Sequence, residues 1–462
     1  MRFQYAPAAM AFVALLAGTT AIVQGQVPTG ASAEETVIQD GYLAKAPAGP
    51  SPSPSDRPAP PVAPVPETAA TAEQAIEEAQ DDSDQPRRLL DLPALSRRRI
   101  AIYGWLDQGF TWNPDSPQDR FNGPVTFNDR ANEYQLNQLY LIAERTTDTA
   151  SGGFDLGGRV DLLYGTDHRF LMANGLEFET NADGSIEQTW NRDHRFYGLA
   201  MPQVYADVAW NDWVFRFGRF YTIVGYEVCT TPANFFYSHS YTTQYAEPFT
   251  HTGMLATWNL TERLALKAGF HRGWDQWEDN NDKLGVLGGV TWTGPEKRTT
   301  LAASLISSNE QPTGESTRNL ISLVWTQKLG QRLTYVLQSD IAHEQNALPE
   351  GQDAEWYGLV NYLIYDFNPC WSMGFRYEWF SDDDGVRVAG LGYPKGIDLR
   401  AVPAHWQEVS FGVHYKPNAN VLLRTEVRWD WVEPLVVVQD QPFDNFTDGS
   451  QFLWGTDLVI KF

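Results

Sequence analysis

The chain has 462 residues, 34 Lys and Arg against 58 Asp and Glu, and a formal net charge of −24. Such an acidic balance excludes nucleic acid as a partner, since phosphate binding needs surplus Lys and Arg, and no apolar run reaches the roughly 18 residues of a membrane-spanning helix. Two Cys exclude a disulfide scaffold, while 17 Trp in a chain of mean hydropathy −0.38 are unusual for an ordinary soluble enzyme.

The chain opens on Arg2 and the apolar stretch Ala8–Ala17, followed by the small residues around Val23-Gln24-Gly25. This reads as an export signal over residues 1–25, removed on maturation. Residues 26–98 follow as a disordered Pro/Ala-rich and acidic periplasmic extension. Nine of the twenty residues from Pro47 to Pro66 are Pro, and such a segment cannot bury enough apolar surface to fold. It reads as a spacer, with contact to the cell wall as the sharper alternative.

The third part, residues 99–462, contains every Trp, the first being Trp105. Its dominant signal is a period of two. In Leu423–Trp431 the charged Arg424, Glu426, Arg428 and Asp430 alternate with apolar, aromatic or Thr residues. In Trp371–Trp379 five large apolar groups share one face, opposite Ser372, Gly374, Arg376 and Glu378. About sixteen such segments are expected. They fall near 100–112, 135–147, 154–164, 201–210, 213–220, 251–259, 263–273 and 284–293. The second half gives 298–308, 318–328, 331–343, 354–366, 370–380, 404–416, 421–431 and 452–462. Short connections, such as Asn211-Asp212, the Gly330 turn, Asn368-Pro369 and 417–420, alternate with long ones at 113–134, 165–200, 221–250, 274–283, 309–317, 344–353, 381–403 and 432–451.

Short turns on one side and long loops on the other mark an all-β fold, a transmembrane up-and-down antiparallel β-barrel. In lipid every backbone amide must be paired within the protein, which a closed barrel achieves. One face of each strand meets lipid and the other a wet interior, so the mean hydropathy looks soluble. Trp and Tyr then sit at the two headgroup levels. The last strand places Phe452, Trp454, Thr456, Leu458, Ile460 and Phe462 on one face. A terminal Phe462 of this kind looks like the assembly signal read by the outer-membrane insertion machinery.

Five motifs stand out: Gly104–Gly109 (GWLDQG), Gly157–Asp167 (GGRVDLLYGTD), Phe217–Phe220, Thr231–Ser238 (TPANFFYS) and Pro248–Gly253. Through them the region from Tyr103 to Phe462 resembles the OmpL-like outer-membrane β-barrel porins of Gram-negative and related bacteria. The resemblance implies a water-filled channel in the outer membrane for passive diffusion of small hydrophilic solutes and ions, with no enzymatic activity and no cofactor. The motifs are structural, so two other readings stay open: a non-channel barrel that anchors loops or the tail, and a membrane-embedded hydrolase. Self-association into a homo-oligomer also stays open.

Sixteen strands enclose a lumen wide enough for water. The register aims Asp155, Arg159, Asp161, Arg216, Lys267, Asp340, Arg376, Glu378, Arg424, Glu426, Arg428 and Asp430 inward. Both signs line this wall, and the acidic excess points to a mild cation preference. The third long connection, 221–250, is rich in Phe and Tyr, which an exposed loop does not keep in water. It is therefore a candidate constriction loop, with Glu227, Phe235, Phe236, Tyr237 and Glu247 as its key residues. Glu227 and Glu247 are expected to face Arg216, Arg219 and Arg376. The alternative is a loop packed at the mouth or against a neighbouring subunit.

Weaker constellations complete the chain. Cys229 and Cys370 fall on opposite sides of the membrane in this topology, so no disulfide is expected unless the 221–250 loop plunges through the lumen. Asp279–Asp282 and Asp382–Gly385 lack the spacing of a calcium loop, and His168 with His194 is a poor metal pair. No metal site is expected. Ser238, His239 and His251 are close in sequence and are candidates for a hydrolase set, although nothing in the sequence fixes their geometry.

Overall fold

The structure, a computed structural model, describes residues 93–462 except 150–151, 182–184, 193–195, 349–350, 389–401 and 439–440. The export signal and residues 26–92 of the extension lie outside the described residues.

β1 (Ile100–Trp112), β2 (Tyr134–Arg145) and β3 (Phe154–Gly165) open the sheet. A separate hairpin of β4 (Phe178–Thr180) and β5 (Ile186–Gln188) stands in the second long connection. β6 (Gly198–Ala200) and β7 (Val204–Trp210) both pair with β3 as successive pieces of one stave. Then come β8 (Trp213–Tyr221), β9 (Thr250–Thr261), β10 (Leu264–His271), β11 (Gly285–Thr293) and β12 (Thr299–Asn309). β13 (Thr317–Lys328), β14 (Leu333–Leu348), β15 (Gln352–Asn368) and β16 (Trp371–Asp382) follow. β17 (Ala404–Asn418), β18 (Val421–Pro434) and β19 (Ser450–Lys461) complete the wall.

Every neighbouring pair is antiparallel, and β19 pairs with β1 from Trp105↔Lys461 to Trp112↔Trp454. The result is a closed sixteen-stave barrel. Closure reaches the last residue: Gly104 N donates to Phe462 O and Phe462 N to Gly104 O, each at 2.8 Å. Among the described residues, every stave of the barrel is paired on both sides, so the wall leaves no edge to lipid.

The outward face is apolar. Trp210 is 60% exposed and Trp429 59%, on the short-turn and long-loop sides respectively. Such rings suit the two headgroup levels. Trp105, Trp274, Trp356 and Trp406 are instead buried. The headgroup explanation therefore does not cover every Trp.

Three boundaries differ from the sequence expectation. The expected strand at 201–210 starts at Gly198 and breaks at 201–203, where Pro202 has no N–H for the ladder. Gln203 mends the break: its carbonyl accepts from Asp161 N at 2.9 Å and its amide donates to the Asp161 carboxylate at 2.9 Å. The expected long connection at 344–353 is mostly strand, since β14 runs to Leu348 and β15 starts at Gln352. There the Asp353 carboxylate accepts Asn346 N at 3.0 Å, and Asn346 takes a positive φ of 50°, as Asn tolerates in tight turns. At 417–420 the strands run on through Pro417-Asn418, with a register shift between Tyr415 and Asn418.

Candidate functional site

The third long connection, residues 222–249, joins β8 to β9 and is buried along most of its length. It packs on the inward face of the barrel. Two short helical turns, at Thr231–Ala233 and Thr242–Ala246, shape it. Between them Phe235, Phe236 and Tyr237 are 7%, 2% and 3% exposed.

Inward glycines receive these rings. A Cβ added at Gly374 would overlap the Phe235 ring, and one at Gly109 would overlap Tyr237. Gly374 and Gly412 are register partners on β16 and β17, so they form one recess for Phe235 and Phe236. Only glycine leaves room for a ring flat against the strand.

The charged wall residues bind the backbone of the loop. Arg424 Nη1 donates to the carbonyls of Thr231, Asn234 and Phe236 at 3.1, 2.9 and 3.1 Å. Arg428 Nη1 donates to His239 O at 2.6 Å. Arg376 Nη1 donates to Ser238 O at 2.8 Å and to the Glu227 carboxylate at 2.7 Å. The acids take the amides. Glu426 accepts Tyr237 N and Ser238 N at 2.9 and 3.1 Å. Glu378 accepts Tyr241 N and Thr242 N at 2.6 Å each, and Asp430 accepts the Tyr241 hydroxyl at 2.6 Å. A buried loop has many polar backbone groups to satisfy, and the alternating charges of β16 and β18 satisfy them. Charge-assisted bonds are the strong kind, about 1.5–3 kcal/mol each.

The arginines are also neutralised within the wall. Arg376 meets Glu408 at 2.5 Å, Arg424 meets Asp457 at 2.6 Å and Arg428 meets Asp430 at 2.8 Å. The remaining wall residues lie elsewhere. Asp155 holds Arg99 and Arg145 at 2.8 and 2.9 Å near the short-turn mouth. Arg159 pairs with Asp161 at 2.7 Å, Arg216 with Asp207 at 2.9 Å, and Asp340 accepts the Ser322 hydroxyl at 2.6 Å. Lys267 on β10 is 7% exposed.

The expected ring of partners around the two loop acids is only partly formed. Glu227 faces Arg376; burial opposes its ionisation most strongly, but Arg376, His239 and the Ser240 amide together outweigh it and hold the carboxyl below the usual range. Among the described residues Glu247 makes no ion pair with an arginine. It accepts from the Gln338 amide and lies beside Asp340, so burial and that second carboxyl push it well above the usual range. Arg216 is engaged by Asp207, and Arg219 by the buried Glu177 at 2.8 Å, because the 166–197 connection folds over it.

The hydrolase candidates are not assembled. Ser238 Oγ accepts from Arg376 Nη2 at 2.8 Å, His239 Nε2 lies 3.2 Å from Val228 O, and His251 Nε2 lies 3.1 Å from the Thr222 hydroxyl. Among the described residues no hydrogen bond joins Ser238 Oγ to either imidazole. No cluster of three His, Cys, Asp or Glu fit for a metal occurs among the described residues. His168 Nδ1 is 2.8 Å from Gly165 O, and His194 is outside the described residues. The Asp382 carboxylate caps the amides of Val386, Arg387 and Val388. Cys229 and Cys370 are both free, Cys229 buried and Cys370 half-buried.

Residue-level reasoning on sequence passed over the glycine recess, Gln138 and Arg387. The recess had a signal: Gly374 and Gly412 both fall on the inward register. Gln138 had none, although it donates to Cys229 O at 2.8 Å and accepts Thr231 N at 3.3 Å.

A family model described as "Putative beta-barrel porin-2, OmpL-like" matches residues 99–462. No curated protein matches the chain in sequence. Among solved structures, OprB of Pseudomonas putida is similar with a TM-score of 0.54 at 10% identity, over 83% of this chain and 100% of that one. The outer membrane channel DcaP of Acinetobacter baumannii gives 0.48 at 11% identity, over 79% and 97%. An anion-selective porin from Comamonas acidovorans gives 0.48 at 10% identity, over 79% and 99%.

Proposed function

The chain belongs to the OmpL-like β-barrel porin-2 family, and from that premise we propose that it is a narrow outer-membrane diffusion pore whose third loop forms the constriction. The outer-membrane barrel and its porin class follow from the family. The constriction is the reading that the loop geometry supports best, and one observation carries it: the Arg376–Glu227 pair and the neighbouring backbone bonds hold residues 226–246 against one wall.

Apart from the Thr222–His251 contact at the start of the loop, the bonds described above run to β2, β14, β16 and β18. The start of the loop, Ile223 and Val224, packs on the facing wall near Gly289 and Leu287, but elsewhere that wall, β9–β12, presents small inward residues, among them Thr291, Ala302 and Ser304. Solute passes between the loop and this wall. Lys267, Arg216 and Asp207 border the route, and Arg159 and Asp155 border its short-turn exit. Arg376, Arg424, Arg428, Glu378, Glu426 and Asp430 position the loop, and through it set the width of the passage. Small hydrophilic solutes and ions cross without a chemical step, and on this reading the chain is no enzyme. Both ends of the barrel domain lie on the short-turn side, so a 26–98 spacer behind a removed 1–25 signal would stand in the periplasm. Phe462, sealing β19 to β1, is the residue offered to the insertion machinery.

Purified full-length protein in planar bilayers tests this reading. Discrete, ohmic steps of small amplitude are expected. A protein that folds and inserts but gives no steps contradicts it and favours an anchoring barrel.

A further inference from the structure

A cavity of about 240 Å³ lies on the long-loop side of the third loop. Arg387, at the start of the β16–β17 connection, borders it and is 4% exposed. Its Nε donates to Tyr245 O at 2.6 Å, and its guanidinium carbon lies 4.8 and 5.4 Å from the ring centres of Trp356 and Trp274. Arg219, Arg318, Arg376, Arg424 and Arg428 are also buried or nearly so, and each has a carboxylate within 2.8 Å. Arg387 has no carboxylate at ion-pair distance among the described residues. A buried cation without a counter-charge is costly. Burial, reinforced by the nearby Arg318, pushes Arg387 down to about 10.

A second donor in the same cavity lacks an acceptor. The Trp274 indole Nε1 is buried with no hydrogen-bond partner among the described residues. Buried indole N–H groups usually find one. Arg318, itself paired with Glu344, lies 4.7 Å from the Trp274 ring centre and borders the same cavity. Phe170, Met172 and Phe249 supply an apolar lining. Three acids also border the cavity. Asp275 accepts Thr250 N at 2.7 Å, Glu310 accepts Trp274 N at 2.9 Å, and Glu247 is bonded to Gln338. Their presence disfavours ligands carrying two or more negative charges.

We infer that this vestibule binds small organic monoanions, with a carboxylate on Arg387 and the Trp274 indole N–H and a compact apolar body against Phe170, Met172 and Phe249. A planar guanidinium fork matches a carboxylate in two parallel bonds, and the volume suits a solute below drug size. The inference rests on the porin reading only for the route by which solute arrives.

Calorimetric titration of the detergent-solubilised full chain with benzoate, and with benzamide as the neutral analogue, tests it. Saturable binding of one benzoate per chain is expected, with benzamide at least tenfold weaker. Arg387→Gln should weaken benzoate at least tenfold, Arg387→Lys less, and Trp274→Phe several-fold, each in protein that keeps heat-modifiable gel mobility. Absence of saturable benzoate binding, or equal binding by wild type and a folded Arg387→Lys or Trp274→Phe chain, overturns the site. Conductance of the same preparation separates the two readings. Steps without benzoate binding overturn the site alone, and benzoate binding without steps overturns the pore alone.

Discussion

Arg376 of β16 and Glu227 of the third loop are 149 residues apart in sequence and 2.7 Å apart in space, both fully or almost fully buried. Arg376 also holds Glu408 and the Ser238 carbonyl, so one guanidinium joins the loop to two strands. Removing one partner of such a buried pair leaves an uncompensated charge, a cost of about 3–5 kcal/mol. Glu227→Ala is therefore expected to free the loop. Single-channel records should show larger and noisier steps, and gel mobility should convert at a lower temperature. Unaltered records in folded protein would mean that this pair does not hold the constriction.

The glycine recess makes a packing prediction. Gly374→Val places carbon where the Phe235 ring lies. Overpacking of this kind costs about 1–3 kcal/mol, and the ring must leave the wall. Gly374→Val with Phe235→Ala should recover stability relative to Gly374→Val alone. Additive losses in thermal unfolding would argue against direct packing.

His239 predicts how the loop responds to acid. It stacks on Phe127 with ring centres 3.9 Å apart, and burial lowers it from 6.5 to about 4, against the opposing pull of Glu227. The folded loop thus keeps His239 neutral while the unfolded chain protonates it below pH 6.5. The unfolded state binds more protons in that window, so stability falls as pH drops from about 6.5 to about 4. Glu227 adds to the loss at the acid end, since its lowered value stabilises the fold above the ordinary carboxylate range and ceases to do so below it. His239→Gln should flatten the upper part of the profile when unfolding is followed against pH. An unchanged slope between pH 6.5 and 4.5 would remove His239 from the account.

The two thiols report the topology. Cys370 sits half-buried in a short turn, and Cys229 is buried in the third loop, where burial pushes its thiol well up. A maleimide should label Cys370 readily in folded protein and Cys229 only after heating or loop deletion. Rapid labelling of both in the native barrel would contradict the buried loop.

The barrel was readable because its two faces obey different solvents. Val427 and Trp429 point to lipid while Arg424 and Arg428 point inward, and that alternation survives in sequence. The loop's presence was readable too, since Phe235, Phe236 and Tyr237 in succession are poorly suited to water. What the alternation cannot convey is the partner of an inward charge. Arg424 reads as a wall facing water, yet three carbonyls of the loop occupy it. That pairing depends on a fold-back across about 190 residues, which leaves no local pattern. Glu247 shows the same limit, since its neighbour is Asp340 and not an arginine. Pro202 broke a strand at a place the period alone had smoothed over.

The most direct test of the central claim is single-channel conductance of the full chain beside a chain lacking residues 226–246, both shown to be inserted barrels. The account predicts small discrete steps from the full chain and steps several-fold larger from the deletion. Equal steps from the two proteins, or none from either, would contradict it.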